Sequence, residues 1–446
     1  MTSRVNRRFF LLSAAAAGAA GFGVRPSLAF AKKLAPSERL RVGAIGIAGQ
    51  GGSDLSAIAA AGAEIVALCD VHEGRVEVRN KKKVYPIAEQ RKTYPKAKFY
   101  TDFRKMIDAG GLDAVMVGTP DHTHAHPTAM ALKNDLHVFC EKPLTHTVAE
   151  ARLVAQLAAK HKRVTQMGTQ IHSGENYRRV VELVQSGAIG EVKEVHVWVS
   201  TAWGGKEDAA RPKDSPKVPE GLDWKLWQGP ALERPYHPTY VPFYWRRWWA
   251  YGGGTLNDMD CHYMDLPFWA LGLRHPTHVE AEGPKVNPEM APLGLTVRYN
   301  FPARGKQPAC KLTWYDAGKK PKLVTDGTAL NWGSGVLFVG SKGMLQADYG
   351  RRQLLPEKQF KGFKAPKPTI ANSVGHYKEW VEACKSGGKT TCSFDYSGAL
   401  TEAVLLGTVA YRLGKGFDWD AEKLKASEAG AEKYIRKEYR KGWELA

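Results

Sequence analysis

The chain is poor in cysteine, and after its first 31 residues it contains no run of about 18 apolar residues, the length that a membrane-spanning helix needs. The six cysteines show neither a C-x-x-C pair nor a spacing typical of metal sites. Cys69 and Cys140 end apolar, strand-like runs, which predicts buried thiols rather than disulfides. We therefore expect a mature protein without a membrane anchor, a disulfide framework or a metal site.

Acidic residues are also scarce relative to basic ones: 45 Asp and Glu stand against 64 Lys and Arg, a net charge of +19. Residues 1–31 contain four of the arginines and no acid, so the rest of the chain carries 60 basic and 45 acidic residues, a net charge of +15. The basic residues are spread along the chain, with only short runs such as 81–83 and 319–322, whereas a nucleic-acid binder concentrates them. This distribution predicts a solvated basic surface and no nucleic-acid partner.

Residues 1–31 have the order of an export signal. Arg7 and Arg8 precede an apolar stretch rich in alanine and glycine, and Ala-Phe-Ala at 29–31 has the small-x-small pattern of a cleavage site. The paired arginines resemble a twin-arginine signal, whose route exports folded proteins. We predict a twin-arginine signal peptide and an exported, periplasmic or extracytoplasmic protein. An ordinary secretory signal and an uncleaved anchor are the alternatives.

A strand, a glycine-rich turn, a helix and a second strand are predicted next. Residues 40–46 and 64–69 read as buried strands, and the turn between them is Gly-Ile-Ala-Gly-Gln-Gly-Gly at 46–52. Glycines let a backbone approach a pyrophosphate at a helix N-terminus, and Asp70 can accept the adenosine ribose hydroxyls. No arginine directly follows Asp70, which favours NAD over NADP. Ala48 replaces the middle glycine of the usual fingerprint, and a turn that serves packing alone is the alternative.

Two further apolar runs, 112–117 and 136–140, predict strands that end in loops with polar residues. Thr147 and Glu150 predict a capping box at the start of the helix that follows. Ligands bind outside the carboxyl ends of parallel strands, so we expect both loops to face the cofactor. The residues predicted to contact it are Gly46, Ile47, Ala48, Gly49, Gln50, Gly51, Asp70, Thr119, Pro120, His124, Glu141, Lys142 and Gln170.

Asp258, His262 and Asp265 follow a triple glycine at 252–254 with the spacing i, i+4, i+7, which predicts one helix face. A carboxylate beside an imidazole raises its basicity, which suits a group that takes a hydroxyl proton as hydride leaves the same carbon. Lys142 can share that task with a lowered pKa or polarise a carbonyl, and the residues alone leave the two roles exchangeable. A surface pair on the helix and a zinc site without a third ligand are the alternatives.

Aromatic residues are concentrated in the second half, where eight of 13 tryptophans lie between Trp198 and Trp269. Sugar rings pack on aromatic faces, so we predict that Trp248 contacts substrate together with Lys142, Asp258 and His262; core packing or a subunit interface is the alternative.

Arg440–Trp443, near the end of the chain, are predicted to serve packing rather than chemistry.

The T-P-x-x-x-H motif at 119–124, the E-K-P motif at 141–143 and the G-G-G-T-L-N-D-M-D-C-H-Y-M-D motif at 252–265 occur in this order. Together they resemble the glucose–fructose oxidoreductase, inositol dehydrogenase and rhizopine-catabolism (Gfo/Idh/MocA) family. The resemblance runs from about residue 38 to the end of the chain.

This resemblance implies an α/β protein: a Rossmann domain with a doubly wound parallel sheet, followed by an α/β domain with an open, mostly antiparallel sheet. We divide the chain into a signal peptide at 1–31, a Rossmann domain at 38–168 and a substrate and oligomerisation domain at 169–446. The family's catalytic groups map onto Lys142, Asp258 and His262. The resemblance also implies a tightly held nicotinamide cofactor and a homodimer or homotetramer.

Three functions remain open at this point. The first is oxidation or reduction of a sugar or glycoside carbon with NAD. The second follows from export, because an enzyme without a free NAD pool must regenerate its cofactor in each cycle. It could do so by oxidising one sugar and reducing another, or as a redox-neutral, NAD-dependent glycosidase of the kind that this family resembles, in which oxidation, elimination, addition of water and reduction follow one another. The third is a non-catalytic glycan- or nucleotide-binding protein.

Overall fold

The computed structural model describes residues 39–79 and 82–445. The predicted signal peptide at 1–31 lies outside the described residues. Among the helices that are described, none is long and apolar enough to cross a bilayer.

Alternating strands and helices form the N-terminal half. Its elements are β1 (Arg41–Ile45), α1 (Gln50–Ala60), β2 (Glu64–Cys69), β3 (Glu77–Arg79), β4 (Lys82–Val84), α2 (Pro86–Thr93), β5 (Lys98–Tyr100), α3 (Phe103–Asp108), β6 (Ala114–Val117), α4 (Ala125–Lys133), β7 (His137–Cys140), α5 (Val148–His161) and β8 (Thr165–Met167). One sheet has the order β5-β2-β1-β6-β7-β8, with all pairs parallel. This confirms the doubly wound Rossmann arrangement, whose ligand crevice lies where the order reverses, beyond β1 and β6.

The C-terminal half forms the second sheet. Its elements are α6 (Glu175–Gln185), β9 (Val192–Trp198), α7 (Trp224–Gln228), α8 (Gly254–Tyr263), α9 (Asp265–Leu271), β10 (His278–Glu282), β11 (Thr296–Phe301), β12 (Cys310–Tyr315), α10 (Lys322–Thr325), β13 (Gly335–Gly340), β14 (Gly343–Ala347), β15 (Arg352–Leu355), α11 (His376–Ser386), α12 (Phe394–Leu413), β16 (Phe417–Asp420), β17 (Lys425–Ala426) and α13 (Glu432–Ile435). The sheet order is β15-β14-β13-β9-β12-β11-β10-β16-β17. Only β9 and β12 pair in parallel, so the open, mostly antiparallel sheet is confirmed.

Local sequence signals account for the start of α5 and for the buried strands. Thr147 and Glu150 form the capping box, with reciprocal bonds between side chains and backbone N–H groups. All four residues of β6 are buried, as in parallel sheets covered on both faces by helices. The six cysteines are buried free thiols, as expected for Cys69 and Cys140.

The two halves of the chain share their cores. Trp380 and Val381 of α11 pack in one apolar cluster with residues of β1 and β6. The 20-residue helix α12 is buried along most of its length and packs on α5. The boundary at 168/169 therefore remains a prediction about sequence domains, because elements from beyond it complete the Rossmann core.

An ion pair joins α5 to α12 inside this shared core. Arg152 Nη2 lies 2.7 Å from Glu402 Oε2, and the Glu402 side chain is 1% exposed. Burial opposes ionisation of Glu402, but His275 and Arg152 outweigh burial and lower its pKa. The pair therefore holds a charged carboxylate between the two halves.

Replacing Arg152 with leucine should lower the free energy of unfolding by about 3 kcal/mol, because the buried Glu402 carboxylate loses the guanidinium that bonds both of its oxygens. The matched control is Arg274→Leu, which breaks a pair with Asp395 on the surface, where the side chains are 46% and 81% exposed. The control should cost less than about 1 kcal/mol. Urea unfolding followed by tryptophan fluorescence measures both, and equal losses would contradict the role of the buried pair.

Candidate active site

A cavity of about 510 Å³ opens at the carboxyl ends of the parallel strands, and residues from both halves of the chain line it. Most of the site residues predicted from the sequence lie in its wall. They are Gly46, Ala48, Gly49, Gln50, Asp70, Thr119, Pro120, Glu141, Lys142, Gln170, Asp258 and His262. The structure does not bring Ile47, Gly51, His124 or Trp248 to the cavity wall.

The glycine turn fits the close approach of a pyrophosphate. Gly46 has φ = +76°, and a Cβ there would lie 2.7 Å from the carbonyl oxygen of Gly118. A Cβ on Gly51 would collide with the carbonyl oxygen of Gly46, so Gly51 serves the packing of α1 on the turn. Gly49 precedes α1 and provides no side-chain cap for its N–H groups. These groups and the exposed backbone suit the phosphates of a dinucleotide, with Ala48 in place of the middle glycine.

Asp70 follows β2 and is held in place by the turn itself. Its Oδ2 accepts a hydrogen bond from Ile47 N at 3.0 Å, and its Oδ1 accepts one from His72 N at 3.0 Å. Burial raises the pKa of Asp70, while these donors favour its charged form. Ile47 thus acts through its backbone. Arg75, which sequence reasoning missed, also lines the cavity and pairs with Glu77 at 2.7 Å.

Lys142 and Asp258 form an ion pair in the cavity wall. Lys142 Nζ donates to Asp258 Oδ1 and to the Asp258 carbonyl oxygen, each at 2.8 Å, and Arg246 Nε lies 3.3 Å from the same Oδ1. Burial works against the ammonium, but Asp258 and Glu141 outweigh burial and raise the pKa of Lys142. Burial likewise opposes ionisation of Asp258, yet Lys142 and Arg246 hold its pKa below the usual range. The expectation of a lowered lysine pKa is therefore wrong, and Arg246 is a site residue that the sequence did not single out.

His262 lies in the cavity wall without the predicted carboxylate partner. It is one turn beyond Asp258 on α8, but the Asp258 carboxylate is bonded to Lys142 and Arg246, and the hydrogen bonds found among the described residues include none to the His262 ring. Burial, assisted by the charge of Lys142, lowers the pKa of His262 to about 3. The imidazole is therefore neutral near pH 7, and the expectation of an imidazole with raised basicity beside a carboxylate is wrong.

Asp121 is a further ionisable group in the cavity that sequence reasoning did not select. It lies in a 3₁₀ turn, Asp121–Thr123, directly after Pro120. Burial raises the pKa of Asp121 to about 7, with Arg246 opposing and Asp258 reinforcing the shift. Its position within the T-P-x-x-x-H motif was the available signal, but a carboxylate in a loop shows its burial only in the folded chain.

Glu141, in the cavity wall, and Asp54, behind it, form a buried carboxyl pair. Glu141 Oε1 accepts from Gln170 Nε2 at 2.9 Å, and Asp54 Oδ1 accepts from Tyr377 Oη and Gln50 Nε2 at 2.8 Å each. Burial, with the neighbouring carboxyl, raises the pKa of Glu141 well above its ordinary value, and burial raises that of Asp54 to about 6. Asp54 and Tyr377 were missed because they belong to helices outside the motifs.

His124 joins the two predicted cofactor loops instead of facing the cofactor. Its Nδ1 lies 2.7 Å from the Pro143 carbonyl oxygen, and its Nε2 lies 2.6 Å from the Thr119 carbonyl oxygen. Burial lowers the pKa of His124 to about 4, so the ring is neutral and donates to one of these carbonyls. The predicted cofactor contact of His124 is corrected to a positioning role.

Trp248 is a core residue, contrary to the prediction that it contacts substrate. It is 3% exposed, its Nε1 donates to the Thr239 carbonyl oxygen at 3.3 Å, and its ring lies 5.0 Å from that of Tyr240. The aromatic residues of the cavity wall are Phe103, Trp203, Trp227, Phe243, Trp245 and Trp443. A sequence rich in tryptophan does not by itself indicate which of its rings face the cavity.

Asp265 does not share the helix face of Asp258 and His262, because it opens α9 after α8 has ended. Its Oδ1 accepts from Tyr396 Oη at 2.7 Å and lies 2.8 Å from His172 Nδ1. Among the described residues, His172, Asp265 and Cys392 have possible metal-binding atoms within 4.8 Å of one another. The carboxylate already has two partners there, so we assign it a structural role.

Comparison with known proteins identifies two matching family regions. "Oxidoreductase family, NAD-binding Rossmann fold" matches residues 40–169, and "Oxidoreductase family, C-terminal alpha/beta domain" matches residues 173–445, both of the Gfo/Idh/MocA type.

Curated relatives match over part of their length. Inositol 2-dehydrogenase of Salmonella typhimurium is 31% identical over 160 residues, which is 35% of this chain and 45% of that protein. A glycosyl hydrolase family 109 protein of Solibacter usitatus is 30% identical over 199 residues, 42% of this chain and 44% of that protein. The chain thus spans less than half the length of these relatives.

Solved structures share the fold. WlbA dehydrogenase from Bordetella pertussis, in complex with NADH and UDP-GlcNAcA, has a TM-score of 0.59 at 16% identity and covers 86% of this chain and 99% of that one. Levoglucosan dehydrogenase in complex with NADH has a TM-score of 0.53 at 18% identity and covers 85% and 99%.

The raised pKa of Asp121 predicts a pH-dependent effect of Asp121→Asn on stability. Below about pH 4 the Asp121 carboxyl is protonated in both the folded and the unfolded chain. Between about pH 4 and pH 7 this carboxyl ionises freely only in the unfolded chain, which stabilises that state. The variant should therefore gain unfolding free energy relative to the unmodified protein as the pH rises through this window. Urea unfolding at several pH values measures the difference. The control, Asp108→Asn, replaces an exposed carboxylate, and a parallel trend in both variants would contradict the assignment.

Proposed function

The chain belongs to the Gfo/Idh/MocA oxidoreductase family, and on this basis we propose that it transfers a hydride between NAD and a carbon of a sugar or polyol. The observation that carries the proposal is the Lys142–Asp258 pair. Its ammonium and the His262 ring line the same cavity as the glycine turn. A substrate oxygen bound beside Lys142 would share this cavity with the dinucleotide.

The residues present fit an NAD molecule along the strand ends. The turn at 46–51 would hold the pyrophosphate, Asp70 the adenosine ribose, and the end of the cavity beside Lys142 the nicotinamide. Bound NAD supplies a hydride acceptor or donor. The residues of this chain bind and orient the substrate, exclude water and move the proton.

Lys142 and His262 divide the proton chemistry in this proposal. Lys142 stays protonated because its pKa is raised, so it donates a hydrogen bond to the substrate oxygen and stabilises the negative charge that develops there. The neutral ring of His262 accepts a hydrogen bond from the substrate hydroxyl, but its pKa of about 3 makes it too weak a base to retain the hydroxyl proton. Asp121, whose pKa of about 7 is matched to neutral solution, can then receive that proton.

A carbohydrate substrate suits the remaining wall of the cavity. Trp203, Phe243 and Trp245 offer apolar ring surfaces on which the C–H face of a sugar packs. The Arg246 guanidinium lies 4.3 Å from the Trp245 ring centroid, beside the Asp258 carboxylate, where it can donate to sugar hydroxyls. This combination of flat apolar surface and fixed donors favours a sugar over an apolar alcohol.

The second candidate is the redox-neutral glycosidase. Two observations favour it: the 30% identity to the Solibacter usitatus glycosyl hydrolase family 109 protein, and the second acceptor, Asp121, in the cavity. Such a route needs one base for the hydroxyl proton of the oxidised carbon and one for the acidified proton of the neighbouring carbon. Tight retention of NAD is part of this proposal, since the cofactor is regenerated in each cycle.

The decisive experiment incubates the purified protein, without added NAD, with free sugars, polyols and glycosides in D₂O. We expect NAD in the denatured protein at one per chain, and NADH absorbance that rises with one sugar class. Deuterium at C2 of a cleaved sugar would instead select the glycosidase. Absence of any bound or bindable nucleotide contradicts both.

Lys142→Met is the matched test of the assigned chemistry, because methionine keeps most of the length of the side chain and removes its charge. It should lower turnover by about a hundredfold or more while NAD stays bound. Lys423→Met, which removes a surface ammonium 76% exposed, is the control and should turn over normally. Unchanged turnover in Lys142→Met would contradict the role assigned to Lys142, and absence of turnover in the unmodified protein would favour the non-catalytic binding protein.

We also propose that the protein assembles into a homodimer or homotetramer, and light scattering tests this oligomeric state.

We further propose export through the twin-arginine route, on the evidence of residues 1–31. Replacing Arg7 and Arg8 with lysine should leave precursor in the cytoplasm, because the paired guanidinium groups identify this route. Cell fractionation measures the distribution, with Arg4→Lys as the control. Normal export of the double variant would favour an ordinary secretory signal.

A further inference from the structure

The last part of the chain, residues 436–445, reaches the dinucleotide cavity; we refer to it as the C-terminal segment. Trp443 lines the cavity and is 8% exposed. It lies more than 370 positions after Asp70 in the sequence and follows the last helix of the chain. The expectation that Arg440–Trp443 serve packing alone is therefore incomplete.

Bonds to the Rossmann half hold the C-terminal segment in place. Lys437 Nζ lies 2.9 Å from the buried Glu150 Oε1, to which Tyr439 Oη also donates at 3.1 Å. The carbonyl oxygen of Trp443 accepts from His126 Nε2 at 2.6 Å. Burial works against the Glu150 charge, but Lys437 and neighbouring donors outweigh burial and lower its pKa. The segment is thus anchored to α4 and to the first turn of α5.

The Trp443 ring is itself fixed on several sides. Its centroid lies 6.0 Å from that of Phe103, and the guanidinium carbons of Arg104 and Arg440 lie 4.5 Å and 5.4 Å from it. Arg440 N donates to the Pro230 carbonyl oxygen at 3.0 Å, which ties the segment to the second half as well. A ring held this way presents a rigid surface to the cavity.

The sheet order identifies the end of the cavity to which Trp443 belongs. Phe103 opens α3 just after β5, and Asp70 follows β2, the neighbouring strand. Lys142 follows β7, three strands from β2, a separation of roughly 14 Å at the usual strand spacing. Trp443, in contact with Phe103, therefore lines the end that contains Asp70, away from the reacting groups. In a Rossmann crevice this end receives the adenosine.

We propose that Trp443 packs against the adenine base, so that the C-terminal segment completes the cofactor site of this protein. The inference rests on the proposed NAD-dependent function. Adenine is a flat aromatic ring, and Phe103, Trp227 and Trp443 supply aromatic carbon around a slot whose ribose end is marked by Asp70. Dissociation of the dinucleotide then requires the base to leave an aromatic enclosure that the last residues of the chain help to close, which promotes retention of the cofactor.

The test compares nucleotides that contain adenosine with one that lacks it. In the Trp443→Ala variant, the affinities for NADH and for ADP-ribose should fall by about ten- to a hundredfold, the usual cost of removing an aromatic contact to a base. The affinity for reduced nicotinamide mononucleotide should be unchanged, because that molecule has no adenine. Fluorescence titration of the purified protein measures the affinity for each nucleotide. A chase with excess NAD measures the rate at which bound NADH is released.

Two further variants keep the test independent of folding. Trp443→Phe retains an aromatic ring and should recover most of the affinity. Trp332→Ala removes a partly buried tryptophan with Arg351 stacked 4.2 Å from its ring, outside the cavity, and should bind all nucleotides normally. Unchanged NADH affinity in Trp443→Ala, or an equal loss for the mononucleotide, overturns the inference alone. An unmodified protein that binds none of the nucleotides overturns the proposed function with it.

Discussion

The Lys142–Asp258 ion pair is the contact on which the arrangement of the cavity depends. Lys142 belongs to the loop after β7 and Asp258 to α8, so the pair joins the two halves of the chain where they meet. Each charge would be costly to bury without the other, and their bonds at 2.8 Å offset that cost only in one relative placement of loop and helix. The pair also occupies the Asp258 carboxylate, which leaves the His262 ring open to the cavity.

The same pair separates the protonation states of its neighbours. Burial alone would neutralise every ionisable group in the cavity, but the fixed charges divide them into a charged Lys142 and Asp258, a neutral His262, and an Asp121 whose pKa of about 7 is balanced near neutrality. Groups with pKa values driven apart in one cavity can donate and accept protons at the same pH. The neighbouring Glu141 and Asp54 carboxyls have raised pKa values because both are buried.

The chain returns repeatedly to its N-terminal sheet, which makes the cofactor site a product of the whole fold. Helix α11 supplies Trp380 to the Rossmann core and Tyr377 to the carboxyl network, and α12 is joined to α5 by the Arg152–Glu402 pair. The C-terminal segment then reaches the cavity through Trp443. Folding of the second half therefore completes the wall of the cofactor cavity.

Features that depend on neighbours in the sequence were predictable: the glycine turn with Asp70, the capping box of Thr147 and Glu150, the alternating strands and the family motifs. Their physical basis is local, since backbone freedom at glycine, side-chain periodicity and helix capping act over a few residues. The wrong predictions concern Trp248, His124, Asp265 and the pKa of Lys142, the missed residues include Arg246 and Asp121, and the packing role predicted for Trp443 was incomplete. In each case the contacts and the charge of the residue depend on which side chains from distant parts of the sequence are buried beside it. The sequence by itself determined the fold class and the set of reactive groups, whereas only the tertiary structure decided their partners and charges, because desolvation and ion pairing arise from contacts between residues far apart in the chain.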